Sequence, residues 1–272
     1  MRGWTTSQVQ SVGPDGAAPD IRRLAEEVPV ALCYDGSTHA VMLASPADLD
    51  DFALGFSLTE GIVERPGQIA RIERADHDEG IELRIWLAPG LGARLAGRRR
   101  RMAGPVGCGL CGVESLAEAS RPLPVLPPDG LCLTPPEIAG AMTALSLAQE
   151  LHGATRAAHA AGFWTRAEGL VALCEDVGRH NALDKLVGRL ARMGRDASGG
   201  AILLTSRVSI ELVQKAVLAR APALIAVSAP TARAVAAADA AGLTLIARAR
   251  GQSFDIHTHA RRIAAKEIQH DP

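Results

Sequence analysis

The hexapeptide Gly107-Cys108-Gly109-Leu110-Cys111-Gly112 holds the residues best suited to nucleophilic chemistry in this sequence. Flanking glycines remove side-chain shielding. The reactive species is the thiolate, and Cys-x-x-Cys spacing near cations lowers a thiol pKa from about 8.5 into roughly 3.5–7.5. Arg98, Arg99, Arg100 and Arg101 lie just upstream as a cation source. Spacing alone leaves three chemistries open: sulfur or redox transfer, a metal site, and an inert pair. A structural zinc needs four ligands, and no second Cys-x-x-Cys exists in the chain. A thioredoxin-like redox motif follows a strand and opens a helix, unlike this Gly-rich stretch. His77 and Glu79, with Pro105 ahead of Cys108 and Cys111, faintly echo the zinc deaminase signature. In that signature proline adjoins the first cysteine, and here it does not.

Three further constellations could hold a ligand, the first two of them an anion. Glu175-Asp176-Val177-Gly178-Arg179-His180-Asn181 stands between an apolar run and a helical pattern. Ligands of α/β sheets gather at such strand-to-helix turns, where helix N-termini offer N–H groups. Arg179 and His180 add charge and donors, and Asp176 can accept from a nucleobase or orient an imidazole. Ser206-Arg207-Val208-Ser209 follows the same grammar, with Ser206, Arg207 and Ser209 as phosphate-type ligands. Phe254-Asp255-Ile256-His257-Thr258-His259 places two imidazoles on one face of an extended segment, for a metal, a polar pocket or an ordinary edge strand. Each turn alone also reads as a plain helix cap, with Asp184 and Lys185 as surface charges.

The elements that must position these residues divide the chain. Residues 1–23 are polar, contain Gly and Pro, lack an apolar signal-peptide core and read as a disordered leader. Residues 24–90 read as a small α+β domain. In it, strands flank Asp35-Gly36 and His77–Gly80, and a helix is capped by Ser45, begins at Pro46 and closes at Gly61. Residues 91–133, rich in Gly and Pro, read as a mobile connector carrying the cysteine pair. Residues 134–272 open on a capping box, Thr134 to Glu137, and end in alternating apolar strands and helices. That alternation predicts parallel βαβ crossovers and a three-layer α/β/α domain.

Composition narrows the function classes. With 272 residues, 47% apolar, 22% charged and a net charge of −1, the chain is an ordinary globular protein. Near-neutral charge argues against a nucleic-acid or membrane-surface partner, and no run approaches the ~20 apolar residues of a membrane span. Five cysteines are too few for a disulfide scaffold and suit reduced thiols in the cytoplasm.

Five stretches, taken together, resemble the formate dehydrogenase accessory sulfurtransferase family, FdhD/NarQ. They are LGFSLTEGIV (54–63), GCGLCG (107–112), EDVGRHNALDKLVG (175–188), SRVSIELVQKA (206–216) and AVSAPTARAVAAADAAGLTLI (226–246). The resemblance runs from about residue 24 to 265. It implies a sulfurtransferase in which Cys108 bears a persulfide received from a cysteine desulfurase, with Cys111 its partner. The sulfur then passes to the molybdenum of a bis(molybdopterin guanine dinucleotide) cofactor, bound as substrate, for formate dehydrogenase or a related molybdoenzyme. It further implies cofactor contacts at 254–259, a larger domain similar to the cytidine deaminase fold but without a structural metal, and pairing into a homodimer. The chain departs from the family pattern at His152-Gly153-Ala154-Thr155-Arg156, where threonine-glycine-glycine-threonine-histidine is usual. It departs again at Thr205-Ser206-Arg207, where serine-glycine-arginine is usual.

Overall fold

The computed structural model describes residues 3–14, 16–92, 123–127 and 130–264. The Cys108/Cys111 loop and the arginine run before it lie outside the described residues.

The expected disordered leader is instead an antiparallel ribbon of β1 (Trp4–Gly13) and β2 (Gly16–Ala25), in register from Trp4↔Ala25 to Gly13↔Gly16. Its sequence carries the cause: Thr5, Thr6, Val9 and Val12 favour extended backbone, and Pro14-Asp15-Gly16 is a turn signal. Overall polarity had masked that pattern.

The first sheet has strand order β4-β3-β6-β5. Strands β3 (Val28–Tyr34) and β4 (Ser37–Ala44) form the expected hairpin about Asp35-Gly36. Both turn residues have positive φ, 49° and 79°, as a two-residue hairpin turn with right-handed strand twist requires. Strands β5 (Ile69–His77) and β6 (Gly80–Leu87) make the second hairpin, and β6 runs parallel to β3. Helix α1 (Leu49–Thr59) covers one face, packing Phe52 and Phe56 on Leu32, Tyr34, Leu83 and Ile85. It begins three residues later than Pro46, and Ser45 does not cap it. The N-cap is Asp48 at φ 56°, with no side-chain cap bond. Ser45 is drawn instead into the junction with the second sheet, described below.

The second sheet has order β12-β11-β10-β9-β7-β8. The predicted crossovers are present: β9 (Ala201–Leu204), α5 (Ile210–Leu218), β10 (Ala223–Ala226), α6 (Ala232–Ala240) and β11 (Thr244–Arg250), with parallel pairing throughout. Strand β7 (His159–Thr165) joins β9 and the outer β8 (Gly169–Asp176), antiparallel to both, while β12 (Ser253–Ile256) returns along β11. Alternate residues feed two cores. Ala201, Leu203, Ala223 and Ile225 meet α2 (Pro135–Leu147), whereas Ile202, Leu204 and Leu224 meet α4 (Arg179–Arg192) and α5. Helices on both faces give the three layers. Helix α2 has the expected capping box, Thr134 with Glu137, and is followed by the short α3 (Glu150–Thr155). The described end of the connector is laid against the second sheet's helices: Leu126 is buried and its N–H donates to the Ala241 carbonyl at 2.9 Å.

Candidate functional site

The carboxyl ends of β9 and β10, the amino end of the antiparallel β7 and the carboxyl end of β8 share one edge of the second sheet. A cleft of about 490 Å³ opens there between that edge and α2 and α3, lined by Ser146, Gln149, His152, Arg156, His159 and Thr205 among others. Helix α3 is fixed by Glu175, whose carboxylate accepts from the N–H groups of Leu151 and His152 at 2.7 and 2.8 Å. His152 Nδ1 donates to the Ala158 carbonyl at 2.9 Å. Arg156 closes α3 in the left-handed region at φ 59°. Thr205 accepts the Ala160 N–H at 2.9 Å and so fixes the start of β7 against the end of β9.

Arginines dominate this edge. Arg207 is exposed in the loop after β9, and Arg250 Nε reaches the Val227 carbonyl, on the cleft wall, at 3.4 Å. Arg179, on the first turn of α4, has a buried Nε with no hydrogen-bond partner. Burial pushes the His159 imidazole pKa down, and Arg179, His152 and Arg207 push it further, against a weaker upward pull from Asp176. His180 stands 3.4 Å from Ser209 Oγ and 3.8 Å from Glu211 Oε2. Its pKa is pulled down to about 4 by burial first, then by Arg179 and Lys215. Ser209 is the extended N-cap residue of α5, and Ser206 is buried with its hydroxyl donating to the Arg207 carbonyl at 3.0 Å. This edge can bind an anion: it offers cations, one unsatisfied buried donor and a helix N-terminus together.

Two expected ligands do not face the cleft. Asp176 is fully buried, and four donors fill its oxygens. Ser45 N–H at 2.9 Å and Lys185 Nζ at 2.6 Å meet Oδ2, while Gly178 N–H at 2.7 Å and Asn181 Nδ2 at 3.0 Å meet Oδ1. No acceptor capacity is left for a nucleobase. The segment 254–259 also divides. Because β12 is antiparallel, the chain runs away from the cleft edge as it proceeds. Asp255 pairs with Arg248 at 2.9 Å, but Thr258 donates to the Leu243 carbonyl, just before β11, at 2.6 Å, and His259 Nε2 lies 2.9 Å from the Asp239 carbonyl, in the last turn of α6. Ile256 therefore pairs within the sheet, opposite Ile246, while His257, Thr258 and His259 run on toward the opposite edge within one chain. The cleft residues not singled out as ligands from sequence are His152, Arg156 and His159. His159 was legible in principle, as the first residue of the strand beside the Thr205 turn.

Asp184 and Lys185, expected on the surface, are buried too. Asp184 accepts from Thr59 Oγ1 at 2.6 Å and from Lys215 Nζ, which also reaches Glu60 at 2.7 Å. These groups tie α1 to α4 and α5. Between α1 and α4 the backbones nearly touch: a Cβ on Gly55 would fall 1.7 Å from the Asp184 carbonyl oxygen, and one on Gly188 1.9 Å from that of Asp51. The two sheets thus meet at a glycine crossing flanked by buried ion pairs.

Residues 25–264 match the model of the FdhD/NarQ family. The chain belongs to the FdhD/NarQ family. It is 53% identical over 241 residues to the sulfur carrier protein FdhD of Variovorax paradoxus, spanning 88% of this chain and 86% of that one. To the sulfur carrier protein FdhD of Agrobacterium fabrum it is 51% identical over 242 residues, 89% of each chain. Its fold is similar to the crystal structure of a putative formate dehydrogenase accessory protein from Desulfotalea psychrophila, with a TM-score of 0.75 at 22% identity, covering 96% of this chain and 99% of that one. In this FdhD/NarQ chain GCGLCG lies outside the described residues, and the other quoted motifs fall on the two sheets' helices and turns. LGFSLTEG supplies Gly55, Thr59 and Glu60 to the helix junction. EDVGRHNALDKLVG sets Arg179 and His180 at the sheet edge beside the cleft and sends Asp176, Asp184, Lys185 and Gly188 to the junction. SRVSIELVQKA sets Arg207 and Ser209 at the same edge and sends Lys215 to the junction.

Proposed function

We propose that this chain is a cytoplasmic sulfur carrier for formate dehydrogenase or a related molybdoenzyme. Cys108 accepts sulfane sulfur from a cysteine desulfurase, Cys111 is its partner, and the sulfur passes to a bis(molybdopterin guanine dinucleotide) cofactor held at the arginine-lined edge. The observation that carries this reading is that relatives about half identical over nearly the whole chain are named sulfur carriers, while this sequence holds both cysteines of the Cys-x-x-Cys loop.

The chemistry of the site supports it. Cys108 as thiolate attacks the outer sulfur of the donor's persulfide, the S–S bond to the donor breaks, and the donor cysteine leaves as thiolate. The residues present fit the cofactor as cargo, since its two pyrophosphates suit Arg207, Arg156 and the unsatisfied Nε of Arg179. Neutral His159 and His180 supply hydrogen bonds there without adding charge. Among the described residues no helix is long and apolar enough to cross a membrane. Replacing both Cys108 and Cys111 by alanine should abolish formate dehydrogenase activity in cells that depend on this protein, with the chain still present at normal abundance. Full activity without the two thiols would contradict the sulfur-carrier role.

A further inference from the structure

The start of α4 has an unusual support. Its N-cap is Gly178, which has no side chain to cap the helix, and the Gly178 N–H is taken by Asp176 from two residues back. Asp176 does not act alone. Its second oxygen holds Ser45 N–H and Lys185 Nζ, Lys185 Nζ also donates to the Ser45 carbonyl at 2.9 Å, and the Ser45 hydroxyl accepts from Val177 N–H at 3.1 Å. Asn181 Nδ2 bridges from Asp176 to the Leu43 carbonyl at 2.8 Å. Four bonds therefore join Leu43 and Ser45, at the end of β4 in the first sheet, to Asp176 and Val177 at the end of β8 and to Asn181 and Lys185 on α4. Gly178 is required there: a Cβ would sit 2.8 Å from Asn181 Nδ2 and 3.3 Å from Asp176 Oδ1.

Helix geometry assigns the faces. Residues 178, 181 and 185 follow i, i+3, i+7 spacing and turn inward to this cluster, so 179 and 180 are swung out of it. Arg179 is close enough to His159, His180 and Glu211 to perturb all three. Its Nε is nonetheless buried and unpartnered. A buried donor left unsatisfied costs free energy, and an acceptor that arrives with a ligand would recover it.

We propose that Asp176 is a positioning residue: with Lys185 and Ser45 it fastens the end of β4 to the first turn of α4 and so holds Arg179 ready for an anionic group of the ligand. This rests on the reading of the cleft as a nucleotide-bearing cofactor's site. The backbone segment it fixes, residues 176–178, leads directly into Arg179, so loosening the cluster frees the guanidinium to turn toward solvent or toward Glu211. Fixing the seam between the two sheets also makes the cleft's geometry depend on both.

The test is calorimetric binding of guanosine diphosphate to the full chain, in wild type, Arg179→Ala, the double variant Asp176→Asn/Lys185→Met, and the triple variant. Removing both buried charges together leaves neither alone in the interior. Arg179→Ala should weaken binding roughly tenfold in the wild-type background, the loss expected for one charge-assisted hydrogen bond. In the double-variant background it should weaken binding less than about twofold, because the two effects act through one group. A purely structural cluster predicts the same tenfold loss in both backgrounds, and that result would overturn the proposal. Ser45→Ala, which removes only the hydroxyl accepting from Val177, serves as a gentler background should the double variant not fold. It too must shrink the Arg179→Ala effect, and an undiminished tenfold loss there counts against the proposal. If the wild-type chain binds no guanosine diphosphate, the cleft reading falls and the positioning role falls with it, whereas additive losses on a binding wild type sink the positioning role alone.

Discussion

His180 shows how one side chain at the cleft edge couples ionisation to folding. Its folded pKa of about 4 lies below the ordinary 6.5 because burial, Arg179 and Lys215 oppose the charged ring, with Glu211 and Glu60 opposing them more weakly. Between those values the unfolded chain binds more protons than the native one, so stability is full above about pH 6.5 and drains away as pH falls toward 4. The slope from this one group is at most about 1.4 kcal/mol per pH unit. His180→Gln should therefore flatten the fall in denaturation midpoint between pH 6.5 and 4, as urea titrations at a series of pH values will show. An unchanged slope would mean that His180 is not held neutral. At this scale the sequence singled out residues whose positions at the sheet edge were legible and whose burial was not. Arg179, His180, Arg207 and Ser209 share one edge of the sheet, since the turns that carry them follow β8 and β9, the two strands that flank the antiparallel β7. Asp176, Asp184 and Lys185 were placed at the surface or on the ligand because charged residues are seldom fully buried. Their partners, Ser45, Thr59 and Lys215, are far away in sequence, so no local pattern reveals the pairing.

Among the helices, the crossing of α1 and α4 carries the greatest structural demand. Gly188 faces the Asp51 carbonyl so closely that an added methyl group has nowhere to go. Gly188→Ala should cost about 3 kcal/mol or more by overpacking, read as a lowered urea midpoint with unchanged m-value. A loss under about 1 kcal/mol would show that the helices separate easily and that the two sheets are only loosely joined. Elements with strong local signals were legible. Thr134 and Glu137 marked the start of α2, Asp35-Gly36 marked a hairpin, and the apolar runs of β9, β10 and β11 separated by helices marked the crossovers. The start of α1 was not legible, because Ser45-Pro46 has good capping chemistry but Ser45 is claimed by Asp176 and Val177 of the other sheet. The β1–β2 ribbon was missed for a different reason: a short polar hairpin with exposed Val12, Ile21 and Leu24 lacks the one-sided apolar face by which strands are usually recognised.

For the molecule as a whole, the same seam that joins the sheets borders the sheet edge that carries Arg179, so the fold and the proposed ligand site share residues along EDVGRHNALDKLVG. The order of strands at the sheet edge, which sequence could not supply, decides which candidate ligands meet. It brings His152, Arg156 and His159 to Arg179 and Arg207, and it carries His257 and His259 to the far end of β11. The account's central claim concerns Cys108, and it is tested most directly by peptide mass spectrometry of the Cys108/Cys111 loop after incubation with a cysteine desulfurase and cysteine. The claim predicts a gain of one sulfur atom on the peptide, cleavable by reductant, lost in Cys108→Ala and retained in Cys111→Ala. An unchanged peptide mass under conditions where the desulfurase is turning over would contradict it.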